Sequence, residues 1–291
     1  MLRTLLGFSL LLLAVTTVHA SSMGPEGTYY LTDEYNTNGI STLDAIRHEH
    51  FVQNASINQH QEGPIAIVNP YWGPYVRTTG SYPGLGGGEY ISAPHLHVHA
   101  DGLTWSNQIS NGYTGSGIYD GTSNGRNNFT VDFGSGNVIA TGLYWGGPGT
   151  VSFSTGTAYD LGITWDRWNN SLWIQNYVTG VISDYSMTGT LLSSFATPDG
   201  SYAGDVGSTA LAMDIDRTLW FERYGTGYIE HYAIDGTYLG EKFYDGLGYA
   251  LGGEIASCPE PASIGMASVL LGMFGWTWVR KRISAKALAR C

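Results

Sequence analysis

Cysteine is nearly absent from this chain: there are two, Cys258 and Cys291, and none between residues 21 and 257. No disulfide framework is open to that stretch, so its fold must rest on packing and hydrogen bonding, for which its length suffices. Positive charge is scarce as well. Residues 21–257 hold seven Lys and Arg against 23 Asp and Glu, a net charge of −16. So acidic a body repels nucleic acid and anionic lipid, which excludes DNA and RNA as partners. Apolar spacing of period 3.6 is missing too, so amphipathic helices are not expected. The segment "GLGGGEY" (84–90) has no following Lys-Ser/Thr and reads as a flexible loop, not a phosphate cradle. No Gly-x-Ser-x-Gly elbow accompanies a plausible triad.

Long apolar runs occur only at the two ends. Residues 1–20 combine one charge at Arg3, an apolar core over 5–15 and a small-residue ending before Ser21. This is the pattern of a secretory signal peptide cleaved between Ala20 and Ser21; its core is too short to span a bilayer. Residues 262–279 form 18 uncharged positions, closed by the basic stop Arg280, Lys281 and Arg282. That run is long enough for one transmembrane helix, with the basic end (280–291) cytoplasmic and the body (21–257) outside.

What is abundant is glycine, 41 residues, and tyrosine, 20. Short apolar segments separated by Gly, Asn, Asp, Ser and Thr predict an all-β body. "SLWIQNYVTGVISDYSMTGTLL" (171–192) set over "TLWFERYGTGYIEHYAIDGTYL" (218–239) matches at ten of 22 positions without a gap. The pairs include Leu172 with Leu219, Trp173 with Trp220, Tyr177 with Tyr224 and Tyr185 with Tyr232. Each copy reads as four strands in about 47 residues, the size of one propeller blade. The clearest blades lie at about 159–200 and 207–249, and the period predicts a β-propeller of about five or six four-stranded blades. Fainter strand-turn-strand patterns appear in "GPIAIVNPYWGPYVRTTG" (63–80) and "NNFTVDFGSGNVIATGLYW" (127–145).

On "ITWDRWNNSLWI" and "LAMDIDRTLWF" the body resembles secreted propellers of the NHL-repeat and gluconolactonase-like kind. That resemblance makes Asp166 and Asp214 turn or blade-locking residues. The tail resembles a different family. Pro259-Glu260-Pro261, then an apolar span, then a basic end is similar to the PEP-CTERM sorting signal of Gram-negative bacteria. The resemblance implies recognition by a membrane-embedded exosortase, passage through the inner membrane, and delivery to the cell surface or the extracellular polysaccharide matrix. The extension after Arg282 and the Cys258 before the motif depart from the usual tail, and Cys258 leaves lipidation or a mixed disulfide open.

Candidate chemistry is thinner. In "HLHVH", His95, His97 and His99 alternate, which on a strand puts them on one face about 6.6 Å apart, so two could clasp a zinc ion. A further ligand would come from Asp101, His48, His50 or His60. A gluconolactonase-like enzyme would need a divalent cation in the channel, for which Glu62, Asp132, Asp160, Asp205 and Glu254 are candidates. Tyr71, Trp72, Trp105, Tyr144, Trp145 and Trp168 are candidate sugar-stacking platforms, with packing the alternative. The expectation is a non-enzymatic surface or matrix protein with no cofactor, serving adhesion, scaffolding or carbohydrate contact. The alternatives are a zinc- or calcium-dependent hydrolase or lactonase, and a propeller that binds a small ligand.

Overall fold

The computed structural model describes residues 27–33, 42–47, 50–56, 62–68, 75–81, 86–92, 103–110, 112–197, 207–244, 246 and 249–256. The signal segment, the tail from residue 257 onward, and His95, His97 and His99 lie outside them. Among the described residues no helix is long and apolar enough to cross a membrane.

All regular structure there is β. The first strands are β1 (Thr28–Asp33), β2 (Thr42–Arg47) and β3 (His50–Ser56). A second group is β4 (Glu62–Val68), β5 (Tyr75–Gly80), β6 (Gly86–Ser92) and β7 (Leu103–Ser110), and a third is β8 (Ile118–Ser123), β9 (Asn128–Asp132), β10 (Asn137–Thr141) and β11 (Thr150–Ser154). Then come β12 (Asp160–Asp166), β13 (Ser171–Asn176), β14 (Val181–Ser186) and β15 (Leu191–Ala196). The last are β16 (Ser208–Met213), β17 (Thr218–Arg223), β18 (Tyr228–Ala233), β19 (Tyr238–Tyr244) and β20 (Ala250–Ala256).

They assemble into five four-stranded antiparallel sheets, four of them from consecutive strands. The fifth is mixed in origin: β20, from the chain's C-terminal part, is the innermost strand beside β1, with Tyr29 opposite Ile255 and Leu31 opposite Gly253. The innermost strands β20, β4, β8, β12 and β16 contact one another in that order and back to β20, so the sheets form a closed ring. Four-stranded sheets ringed about an axis are the architecture of a β-propeller.

Burial follows from that arrangement. The second strands β13 and β17 lie between neighbouring sheets and are buried almost throughout, while the rim strand β15 is exposed along its length. Leu172, Ile174, Phe129, Val131, Phe153 and Ile163 form one core between the third and fourth groups. Trp173, Leu211, Leu219, Phe221 and Tyr232 form the next, and Trp220 packs with Tyr29, Leu31, Ile229 and Ile255 beyond it. The repeated tryptophans thus fill successive gaps between sheets, and the repeat exists because each gap needs the same filling.

One reading is corrected. Residues 86–90 of "GLGGGEY" are not a loop: they begin β6, paired with β5 and β7. Three glycines erase the side-chain alternation by which strands are recognised, yet they leave the backbone free to join the ladder. The chain also forms a further strand after the second repeat, because β1 needs an inner neighbour to keep its edge from water.

Candidate functional site: the axial carboxyls, the pocket and the tyrosine arc

A closed ring of sheets leaves the inner edges of its innermost strands facing the axis, where backbone N–H groups lack ladder partners. Asp120, in the middle of β8 and fully buried, answers this. Its Oδ1 accepts from Gly121 N and Gly253 N, both at 2.8 Å. Its Oδ2 accepts from Ile163 N and Leu211 N, both at 3.0 Å. One carboxyl therefore gathers N–H groups from β8, β12, β16 and β20. Burial pushes its pKa well up, and the N–H donors pull against that. Since both oxygens face donors only, a proton on either would have no acceptor, and the carboxylate is the form the site fits.

Threonine hydroxyls complete the ring. Trp165 N donates to Thr122 Oγ1 and Met213 N to Thr164 Oγ1, each at 3.0 Å. Thr209 Oγ1 donates to Ala250 O at 2.5 Å. Thr32 Oγ1 donates to Gly63 O at 2.6 Å and accepts from Gly252 N at 3.1 Å, which brings β4 into the same system. Gly252 has to be glycine there, because a Cβ would sit 2.1 Å from Gly63 O.

A second axial carboxyl behaves differently. Glu254 on β20 is 8% exposed, and its Oε2 is buried without a hydrogen-bond partner. Burial pushes its pKa up to about 8, against the pull of the Thr122 and Thr164 hydroxyls, the Ile255 N–H and the charge of Arg167. It lines a pocket of about 270 Å³ with Ile67, Trp165, Arg167, Met213 and Asn124. The pocket lies where the innermost strands end, since Asn124 follows β8 and Arg167 follows β12.

At the other end, where the innermost strands begin, aromatic rings meet edge to face. Tyr119 contacts Phe133 (centroids 5.4 Å apart), and Phe133 contacts Tyr159 (5.3 Å) and Tyr177 (6.3 Å). Tyr177 contacts Tyr224 (5.5 Å), which contacts Tyr249 (5.3 Å). Tyr159 and Tyr249 are 50% and 43% exposed, and the other four are half-buried. Six rings thus run as one arc past four sheets.

The sequence-derived candidates separate clearly. Glu254 is axial. Asp132 is not: it ends β9, where, against the push of burial, hydrogen bonds from Tyr113, Ser135 and Ser116 take its pKa down to about 2. Asp160 accepts from Thr155, Thr157 and Asn176 at the start of β12, again away from the axis. Both are turn-binding groups, which is the usual work of Asp near strand ends. The side chains of Glu62, His50 and Trp105 are not described, and Tyr71, Trp72, Asp101, Asp205 and the histidines at 48, 60, 95, 97 and 99 lie outside the described residues. Among the described residues no three His, Cys, Asp or Glu side chains gather as a metal set.

Asp166 and Asp214 do lock turns and sheets. Asp166 accepts from Trp168 N at 2.8 Å and from Arg217 Nε at 3.1 Å, so it ties the fourth group to the fifth. Asp214 accepts from Ile215 N at 2.6 Å and Trp220 Nε1 at 3.1 Å. Of the aromatic candidates, Trp145 is packing: it is buried and its Nε1 donates to Arg77 O. Tyr144 and Trp168 are exposed, each beneath an arginine, Arg77 at 3.8 Å and Arg167 at 4.4 Å. Sequence reasoning missed the arc, although the repeat carries a signal for it in the pair Tyr177 and Tyr224.

No protein-family model matches the chain, and no curated protein does. Solved structures do. The chain is similar to a protein of unknown function from Bacteroides thetaiotaomicron, at 12% identity and TM-score 0.49 over 79% of this chain and 65% of that one. It is similar to a chain of the nidogen/laminin complex, at 12% identity and TM-score 0.47 over 79% and 98%. It is also similar to virginiamycin B lyase from Staphylococcus aureus, at 14% identity and TM-score 0.42 over 75% and 70%. At such identities nothing of their activities passes to this chain.

Proposed function

We propose that the chain is an exported, non-enzymatic five-bladed propeller that is displayed at the cell surface or in the extracellular matrix and contacts polysaccharide there. The observation that carries the contact is the arc Tyr119, Phe133, Tyr159, Tyr177, Tyr224 and Tyr249, in which Tyr159 and Tyr249 are exposed. Tyrosine offers sugars an apolar ring face and a hydroxyl together, and edge-to-face contacts hold the rings in place before anything binds. The body's net charge of −16 turns away nucleic acid and anionic membranes but not neutral sugars.

Delivery rests on the two ends. The signal over 1–20 exports the body, and an exosortase is the partner that reads Pro259-Glu260-Pro261 beside the span 262–279 and the basic stop Arg280, Lys281 and Arg282. Before processing the protein is held in the inner membrane with its body outside. The metal-dependent hydrolase reading finds less support, because Asp120, the most central carboxyl, already spends its oxygens on four N–H groups.

Sorting is tested by replacing Pro259, Glu260 and Pro261 with alanine in a host that has its exosortase. The full-length form is expected to accumulate in the inner membrane; unchanged processing would remove that part of the proposal. Contact is tested by Tyr159→Ala with Tyr249→Ala, expected to weaken retention on extracted surface polysaccharide about tenfold, as the loss of two stacking rings would. Retention equal to wild type would contradict it.

A further inference from the structure

The Glu254 pocket is a site that the surface-contact role leaves unused. Two observations point independently to a ligand there. The first is an unsatisfied oxygen: Glu254 Oε2 is buried and has no partner, although Thr122 and Thr164 hold their hydroxyls toward the same carboxyl. Such a group is destabilising unless something hydrogen-bonds to it. The second is a fixed wall. Trp165 is anchored at its backbone N–H, which donates to Thr122 Oγ1, and its indole at Nε1, which donates to Asn170 Oδ1 at 3.2 Å. A preset aromatic face beside an unsatisfied polar atom is the usual composition of a small-molecule site.

The lining also limits the ligand's class. A cation would approach Glu254 but meet the Arg167 guanidinium in the same pocket, and an anion would approach Arg167 but meet an acidic protein and the Glu254 carboxyl. A hydroxyl both donates and accepts, so it satisfies Glu254 in either protonation state, as well as Arg167 and the Asn124 amide. The apolar walls Ile67, Trp165, Met213 and Ile255 suit the C–H face of a sugar ring. At about 270 Å³ the pocket falls just below the roughly 300–1,000 Å³ of drug-sized ligand sites, so it admits one sugar residue and not a chain.

We propose that this pocket binds a single neutral sugar residue, with Glu254, Arg167 and Asn124 taking its hydroxyls and Trp165 its ring face. The choice of sugars rests on the polysaccharide-contact reading; the site itself does not, because the arc lies at the other end of the axis.

The test is calorimetric titration of the exported body with glucose, galactose, mannose and rhamnose, with glucosamine and glucuronate as charged competitors. At least one neutral sugar is expected to bind saturably and to outbind both charged ones. Glu254→Leu is expected to weaken it about tenfold, the effect of losing one good hydrogen bond in a desolvated site. Glu254→Gln, which keeps a donor and an acceptor, is expected to stay within about threefold and serves if the leucine variant misfolds. Tyr159→Ala should bind the monosaccharide as wild type does. Binding lost in Tyr159→Ala but kept in Glu254→Leu would overturn the pocket and leave the arc standing. No saturable binding by any neutral sugar, or tighter binding of a charged one, would overturn it as well.

Discussion

Asp120→Ala is expected to leave no stably folded protein. The substitution strips acceptors from Gly121 N, Gly253 N, Ile163 N and Leu211 N, all on the dry axis. Each buried donor left without a partner costs about 1–3 kcal/mol, so four cost about 4–12 kcal/mol, against a typical whole-domain stability of about 5–15 kcal/mol. Nothing nearby can substitute, since no cysteine lies in the body to hold the ring by a covalent link. Asp120→Asn is the milder case: its oxygen still accepts, but its amide points N–H groups at two backbone donors. About half the loss is expected for it. Urea denaturation and soluble yield are the readouts. An alanine variant unfolding within about 1 kcal/mol of wild type would show that Asp120 does not hold the sheets together.

Glu254→Gln is expected to do the opposite and stabilise the protein at alkaline pH. In the folded state the Glu254 pKa is raised from 4.5 to about 8, so between those values the folded form binds a proton that the unfolded form has released. Stability therefore falls as pH rises through that window: Glu254's penalty is absent below about 4.5 and complete above about 8. Each pH unit of such a shift corresponds to about 1.4 kcal/mol, which places the difference between wild type and glutamine at a few kcal/mol by pH 8.5. The Glu254 charge also raises the Asp120 pKa, so the difference between the two pH profiles reports Glu254 together with its coupling to Asp120. Thermal melts from pH 5 to 9 should show the two curves diverging upward through neutrality. Parallel curves would mean that Glu254 is solvated and ionised in the folded protein.

The strands were legible where side chains alternate and recur. Residues 171–192 and 218–239 show their second and third strands because Leu172, Trp173, Leu219 and Trp220 fill equivalent gaps between sheets. Residues 250–256 escaped because "ALGGEIA" has adjacent glycines and no repeat partner, and only the ring's need for closure makes it a strand. Glycine hid β6 in the same way. The axial carboxyls illustrate a deeper limit. Asp120-Gly121 carries the residue pair of a tight hairpin turn, yet it lies mid-strand, and its four N–H partners are spread over residues 121 to 253. No local pattern reports which backbone groups a closed ring leaves unpaired. Glu254 stood among five acidic candidates with nothing to rank it; its burial beside Trp165 and Arg167 is a property of the ring. The arc was half visible. Tyr177 and Tyr224 match across the repeat, whereas Tyr119, Tyr159 and Tyr249 belong to different parts of their sheets and meet only in space.

Contact with polysaccharide through the arc is the central claim, and affinity electrophoresis tests it most directly. The exported body is run through native gels cast with and without surface polysaccharide from the producing cells, at low salt and again near 0.5 M. Retardation is expected in the polysaccharide gel at both salt concentrations, because ring stacking is not screened by ions whereas surface charge attraction is. It should be weakened about tenfold by Tyr159→Ala with Tyr249→Ala and unaffected by Glu254→Gln. Equal mobility of the wild-type body in the two gels would contradict the account.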